Sequence, residues 1–253
     1  MLKEERQNKI LSLIQQHTFL TITDVASRLN VSEMTIRRDF NELAKQNKLT
    51  KLYGGAQKLD VEKKELSTDE KIQSHVDQKK YIGRIMNSII RDNSILFLGA
   101  GTTVLHALPE ITKKGLFIIT NSLISFNYLK DNTDFRILLT GGEFIPTTEE
   151  FIGEVAVRSF DNLNIDMAFV ATNGIFENNI TTAQFDEGAV QNAAFAKAKT
   201  TCVIADSSKL DVADVYTFQR LDQVDYLITD DKIPQEVFDR YSKHVKILKE
   251  EYE

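Results

Sequence analysis

From residue 94 onward, short apolar runs recur, each ending in a cluster of glycine, threonine or asparagine. Ser94-Ile-Leu-Phe-Leu98 runs into Gly99-Ala-Gly-Thr-Thr103 and a helical pattern to about Leu108. Leu116–Ile119 runs into Thr120-Asn121-Ser122 and a helix to Lys130. Phe135–Leu139 ends in Thr140-Gly141-Gly142, and Ile165–Ala171 ends in Thr172-Asn173-Gly174. A helix over about Glu187–Ala198 leads to the run Thr201–Ala205. Tyr226–Thr229, a helix near Pro234–Tyr241 and a last run at Val245–Leu248 complete the series. Strands that alternate with helices cannot pair as hairpins. They predict a mainly parallel α/β sheet.

Ligands of such sheets bind at the carboxyl ends of the strands. Glycine there lets backbone N–H groups approach an anion, and a helix start adds positive potential. Gly101, Thr102 and Thr103, with Gly99 before them, are therefore read as a phosphate cradle. Thr120, Asn121 and Glu143 are suited to sugar hydroxyls, and Gly141, Gly142, Asn173 and Gly174 sit on matching turns. A single such turn is ordinary turn chemistry; four in one sheet point to a ligand. The third glycine of a dinucleotide fingerprint and the Gly-Lys-Ser/Thr of a nucleotide loop are missing.

The first sixty residues read differently. Ile10, Leu11, Leu13 and Ile14 place a helix over Lys3–Gln16, which residues 17–20 break. Thr21 or Thr23 caps a short second helix with Val25, Ala26 and Leu29 inward, and Asn30-Val31 is a tight turn. Ser32 caps a third helix with Met34, Ile36, Phe40 and Leu43 as inward or boundary positions. Two short helices across a tight turn make a helix-turn-helix. The third helix exposes Ser32, Glu33, Thr35, Arg37, Arg38 and Asn41, residue types that read base edges and phosphates in the major groove. Asp39 is read as structural, since a carboxylate facing DNA is repelled. Gly54-Gly55 between Leu49–Tyr53 and Ala56–Leu59 signals a hairpin wing carrying Lys51 and Tyr53.

Domains are expected at 1–58 and 75–253, with the charged stretch 59–74 as linker. Charge supports the division. Residues 1–60 carry ten Lys/Arg against seven Asp/Glu, a net of +3, and the rest carries 21 against 30, a net of −9. Such a split suggests different partners for the two parts. The single Cys202 in an apolar run is read as a core residue, and four scattered His make no metal cluster. No apolar run is long enough to span a bilayer and no leader pattern is present, so a cytoplasmic location is expected.

Arg6, Ile10 and Ile14, the run Ser32-Glu-Met-Thr-Ile-Arg-Arg-Asp-Phe40 and the wing Gly54-Gly55-Ala56 resemble the DeoR family of bacterial repressors. The resemblance covers nearly the whole chain. It implies an α/β protein with an N-terminal winged helix-turn-helix joined to a sensor domain similar in fold to ribose-5-phosphate isomerase. It also implies a phosphorylated sugar as effector, with Gly101–Thr103 as phosphate loop and Thr120, Asn121, Gly141, Gly142, Asn173 and Gly174 on pocket turns. Glu187 and Asp206-Ser-Ser-Lys209 match further family motifs. The stretches Phe97–Thr103 and Gly141–Gly153 look most similar to members regulating the lactose phosphotransferase and tagatose-6-phosphate pathways. Gly99 stands where many members have Asp, and Ile145 where many have Arg, which implies a different or weaker hold on effector.

The expectation is a repressor that leaves its operator when a phosphosugar binds. It has operator DNA as partner, no cofactor, metal or membrane, and forms a homo-oligomer, dimer or tetramer. Two alternatives stand beside it: an isomerase-like enzyme using Asp186, Glu187 and Lys209, and an activator of the same build.

Overall fold

The computed structural model describes residues 3–16, 19–46, 48–52, 54–58 and 67–251. The chain divides into two compact units, Met1–Lys64 and Glu65–Glu253.

The first unit runs α1 (Lys3–Gln16), β1 (Phe19–Thr21), α2 (Ile22–Leu29), α3 (Glu33–Lys45), β2 (Leu49–Leu52) and β3 (Gly55–Lys58). The helices close over Ile10, Ile14, Val25, Ile36, Phe40 and Leu43. Of the two threonines, Thr21 is the cap of α2, its Oγ1 accepting from the Asp24 N–H at 2.9 Å. Asn30 ends the helix at φ 52°, a left-handed conformation that asparagine tolerates. The Ser32 hydroxyl caps α3 by accepting from the Thr35 N–H at 3.3 Å. Phe19 and Leu20, expected only to break a helix, form β1 together with Thr21, and the sheet has three antiparallel strands in the order β1-β3-β2. Three residues are too few to show a strand period.

The charged stretch expected as linker is corrected over 67–74, which belong to the second unit. There, α4 (Thr68–Ile72) starts with a capping box: Ser67 Oγ accepts from the Glu70 N–H, and Glu70 accepts from the Ser67 N–H at 2.7 Å. Residues 59–66 lie outside the described residues.

Next come α5 (Val76–Ile89), β4 (Ile95–Leu98), α6 (Thr102–Ala107), β5 (Phe117–Thr120), α7 (Leu123–Asn132) and β6 (Arg136–Leu139). A hairpin of β7 (Glu143–Ile145) and β8 (Glu150–Ile152) follows, then α8 (Gly153–Arg158) and β9 (Ile165–Ala171). The chain continues through β10 (Gly174–Phe176), β11 (Asn179–Thr182), α9 (Phe185–Phe195), β12 (Ala198–Ile204) and β13 (Tyr216–Arg220). It ends in β14 (Tyr226–Ile228), α10 (Gln235–Tyr241) and β15 (Lys246–Leu248). Seven strands form one parallel sheet, ordered β15-β14-β12-β9-β4-β5-β6. One face buries Ile82, Ile85, Met86, Val104 and Leu129 of α5, α6 and α7. The other buries Ala156, Val190, Ala194 and Tyr241 of α8, α9 and α10. The expected parallel α/β layering is what forms. The β7–β8 hairpin and the antiparallel sheet β10-β11-β13 are additions to it.

From β4 the chain steps outward through β5 and β6, then returns to β9 on the other side of β4 and steps outward again. The strand order therefore reverses between β4 and β9, which is where ligands settle in open parallel sheets.

Candidate functional site

In the first unit, α3 buries Ile36, Asp39, Phe40 and Leu43 and exposes Glu33, Met34, Arg37, Arg38 and Asn41. At 100° per residue, positions 34, 37, 38, 41 and 45 fall on one stripe. Met34, expected at an inward or boundary position, is 59% exposed and lies on this stripe. Thr35 is half-buried, its hydroxyl 2.9 Å from Ser32 Oγ. Glu33 accepts from Thr23 Oγ1 at 2.8 Å and lies 4.0 Å from Arg37. Asp39 faces inward: its carboxylate accepts two hydrogen bonds from Arg6, at 2.5 and 3.1 Å, and raises the Arg6 pKa. That pair ties α1 to α3 and leaves Arg37 and Arg38 clear of a neighbouring Asp39 charge. Lys51 is exposed on β2. Gly54 turns the wing at φ +81°, and Gly55 lies so close to the Leu20 carbonyl that a Cβ would come within 2.3 Å of it. Tyr53 lies outside the described residues.

In the second unit a cleft with a cavity volume of about 60 Å³, continuous with solvent, lies at the carboxyl ends of β4 and β9. Its walls are Ala100–Thr103 after β4, Ala171 at the end of β9 with Thr172 and Asn173 beyond it, Thr68 and Lys71 of α4, Lys79 of α5, and Thr148 and Glu150 of the hairpin. Ser74, Glu187 of α9 and Lys209 complete it. Lys79 is buried, and its Nζ donates to Thr102 Oγ1 at 2.9 Å and to the Lys71 carbonyl at 2.8 Å. Burial draws its pKa down to about 8; Asp206 opposes this, and Lys209 and Lys71 add to it. Glu150 is buried and accepts from Asn121 Nδ2 at 3.2 Å. Glu187 accepts from the Thr182 hydroxyl. Thr148 Oγ1 has no hydrogen-bond partner. Three ammonium groups and two carboxylates thus line one cleft, able to hold a doubly charged anion and to accept from hydroxyls.

Of the expected effector residues, Gly101, Thr102, Thr103, Asn173, Glu187 and Lys209 line this cleft. Gly101 has φ +131°, and a Cβ there would lie 2.9 Å from that of Ala171, so both backbone and space call for glycine. The others stand behind the cleft or away from it. Asn121 is buried, its Oδ1 accepting from the Ala100 N–H at 2.9 Å while its amide holds Glu150. Thr120 is buried and accepts from the Ser122 N–H. Gly99 ties β4 to β9 through its N–H to the Phe169 carbonyl, 2.9 Å. Gly174 packs on the Val212 carbonyl. Gly141 and Gly142 turn the chain with positive φ into β7, and Glu143 is exposed there. Asp186 is exposed outside the cleft, and neither Gly99 nor Ile145 lines it. Thr68, Lys71, Ser74, Lys79, Thr148 and Glu150 were not anticipated. Only the Ser67-x-x-Glu70 spacing signalled a helix start beside the first three.

No helix among the described residues is long and apolar enough to cross a membrane. No cluster of metal-ligating side chains occurs among them.

The family model for the DeoR-like helix-turn-helix domain matches residues 6–62, and that for the DeoR C terminal sensor domain matches residues 74–231. The lactose phosphotransferase system repressor of Streptococcus mutans is 35% identical over 98% of this chain and 100% of its own length. The protein of the same name from Lactococcus lactis is 34% identical over 98% of this chain and 99% of its own. Among solved structures, ribose 5-phosphate isomerase A from Methanocaldococcus jannaschii aligns with a TM-score of 0.40 at 16% identity, covering 54% of this chain and 55% of that one. Chaetomium thermophilum eIF2B beta aligns with a TM-score of 0.45 at 12% identity, covering 67% and 54%. With a helix-turn-helix model over its first unit, a sensor model over most of its second and full-length relatives above 30% identity, the chain belongs to the DeoR family.

Proposed function

We propose that this protein is a DNA-binding repressor of a sugar-utilisation operon, released from its operator when a phosphorylated sugar fills the second unit's cleft. The observation that carries the reading is the meeting of Lys71, Lys79 and Lys209 with Gly101–Thr103 at the strand-order reversal. A phosphate suits the cations and hydroxyls. Glu150, Glu187 and the unpartnered Thr148 hydroxyl suit the polyol that carries it. The first unit supplies the output: α3 enters a major groove with Met34, Arg37, Arg38 and Asn41, and Lys51 of the wing meets phosphate. Two relatives matched over nearly their whole length are named lactose phosphotransferase system repressors, which favours a lactose-utilisation operon. One α3 reads one half-site, so the working species is at least a dimer whose heads span half-sites about 34 Å apart or a multiple of that.

Thermal denaturation of the full chain tests the cleft against inorganic phosphate, tagatose 6-phosphate, galactose 6-phosphate, glucose 6-phosphate and the unphosphorylated sugars. A ligand at 100 times its Kd stabilises the native state by about 2.7 kcal/mol. The expected outcome is an upward shift with one phosphosugar and none with its parent sugar. A shift with the parent sugar alone, or with no compound, contradicts the reading.

A further inference from the structure

The helix α4 (Thr68–Ile72) is too short to persist by itself in water. Bonds to three walls of the cleft hold it. The Thr68 N–H donates to the Thr147 carbonyl, in the turn between β7 and β8, at 3.0 Å. The Lys71 carbonyl accepts from Lys79 Nζ at 2.8 Å, and the same Nζ donates to Thr102 Oγ1 beside the phosphate loop. Lys71 Nζ reaches Asn173 Oδ1, after β9, at 3.5 Å. At the far end His106, on α6, lies with its Nε2 2.7 Å from the Ile72 carbonyl. A carbonyl only accepts, so Nε2 carries the proton there. Among the described residues the helix is also the first element after the boundary between the two units, Lys64/Glu65.

We propose that α4 is the strap through which an occupied cleft acts on the DNA-binding unit, with His106 and Glu70 as the positioning residues that hold it. The inference rests on the reading of the cleft as a phosphosugar site. An anion seated among Lys71, Lys79 and Thr102 competes for ammonium donors now shared with α4. Lys79 has three N–H donors, two of them used on the Lys71 carbonyl and Thr102. Any turn of that group toward a ligand loosens or re-aims its bond to the strap, and Lys71 moves with the helix of which it is part. A short helix held by a few hydrogen bonds opens at low cost, as a switching element must. A ligand acts on DNA binding only through such a difference between states. Neither His106 nor Glu70 lines the cleft, so each can be changed without removing a group from it.

The test uses the full chain, a duplex that it selects from random sequence, and the probes inorganic phosphate, glucose 6-phosphate, galactose 6-phosphate and tagatose 6-phosphate. Calorimetry gives probe affinity. Fluorescence anisotropy gives the factor by which saturating probe weakens DNA binding. In the wild type that factor is expected in the range of about 5 to 150 found for coupled sites. His106→Leu and Glu70→Ala are expected to bind probe with near-wild-type affinity while the factor falls toward one. His106→Gln, which restores a donor, is expected to recover it. An unchanged factor in both variants overturns the strap, as does a factor lost only in step with probe affinity. A wild-type chain that binds DNA but no probe overturns the cleft reading instead, and the strap with it. Should His106→Leu fail to fold, Glu70→Ala, on an exposed side chain, decides alone.

Discussion

Lys79 shows how far one residue can sit from what its sequence position advertises. It lies in a helical stretch whose apolar stripe is Ile82, Ile85, Met86, Ile89 and Ile90, and lysine is the residue least expected to be buried there. The structure leaves it 2% exposed because the cleft floor supplies two oxygen acceptors that helical periodicity cannot register. Asp39, by contrast, was legible as structural, since a carboxylate on a DNA-reading helix is repelled unless it turns inward. Burial sets the pH behaviour of Lys79, whose pKa falls to about 8. Below that value the ammonium persists folded and unfolded, and its desolvation cost is fully present. Between about 8 and the ordinary lysine value of about 10.4 the folded protein gives up a proton that the unfolded chain keeps. Stability from this group therefore rises with pH across that window. A bound anion works the other way, favouring the charged form. Phosphosugar affinity is thus expected to fall as pH rises from 7 to 9, with proton uptake on binding near pH 8.5. Calorimetry in buffers of different ionisation enthalpy measures both, and Lys79→Met is expected to bind weakly with a flat profile. A wild-type profile flat over the same range contradicts the assignment.

At the scale of elements, helices with a sustained period and apolar runs inside the α/β alternation were readable, and isolated short elements were not. The strands of the parallel sheet appeared as apolar runs because helices cover both their faces. Ser32, Thr21 and Asn30 marked the helix ends of the first unit. Of the three-residue strands, β14 and β15 stood out as apolar runs of the α/β series, whereas β1, β7, β8 and β10 did not, and α4 spans little more than one turn. The candidate site suffered most from this. Thr68, Lys71, Thr148 and Glu150 of the cleft come from α4 and the β7–β8 hairpin, whereas Asn121 and Gly99 support the cleft from behind. The exposed stripe of α3 carries its own prediction. Arg37→Ala is expected to weaken binding to the selected duplex by about 1–3 kcal/mol while leaving scrambled DNA nearly unaffected, the signature of a base contact. Met34 adds an apolar group on the same stripe, suited to a thymine methyl. Replacing single thymines of the duplex by deoxyuridine is expected to weaken wild-type binding at one position and to leave Met34→Ala indifferent there. Equal losses on all sequences for Arg37→Ala assign that residue to phosphate.

For the molecule as a whole, the net charge of −6 argues against DNA binding and the distribution argues for it. The +3 of residues 1–60 is small, so attraction must come from a few well-placed cations. On the described α3 and β2 these are Arg37, Arg38, Lys45 and Lys51, all exposed. The number of phosphates that they neutralise is open to measurement, because each contact releases counterions and makes affinity depend on salt. A slope of about −0.9 per contact in log affinity against log salt gives roughly −3 to −4 for one head using three or four of these cations. Two heads on paired half-sites double the number of contacts, giving roughly −5 to −7. The remainder, with 21 basic against 30 acidic residues, carries a net negative charge that does not attract phosphate. The slope therefore reports how many heads engage. The expected value for the full chain on its selected duplex is the steeper one, with Arg38→Ala making it shallower by about two, one contact per head. A slope near −3, unchanged when the duplex is cut to a single half-site, means that one head binds alone and removes the paired-head basis of the proposed repression.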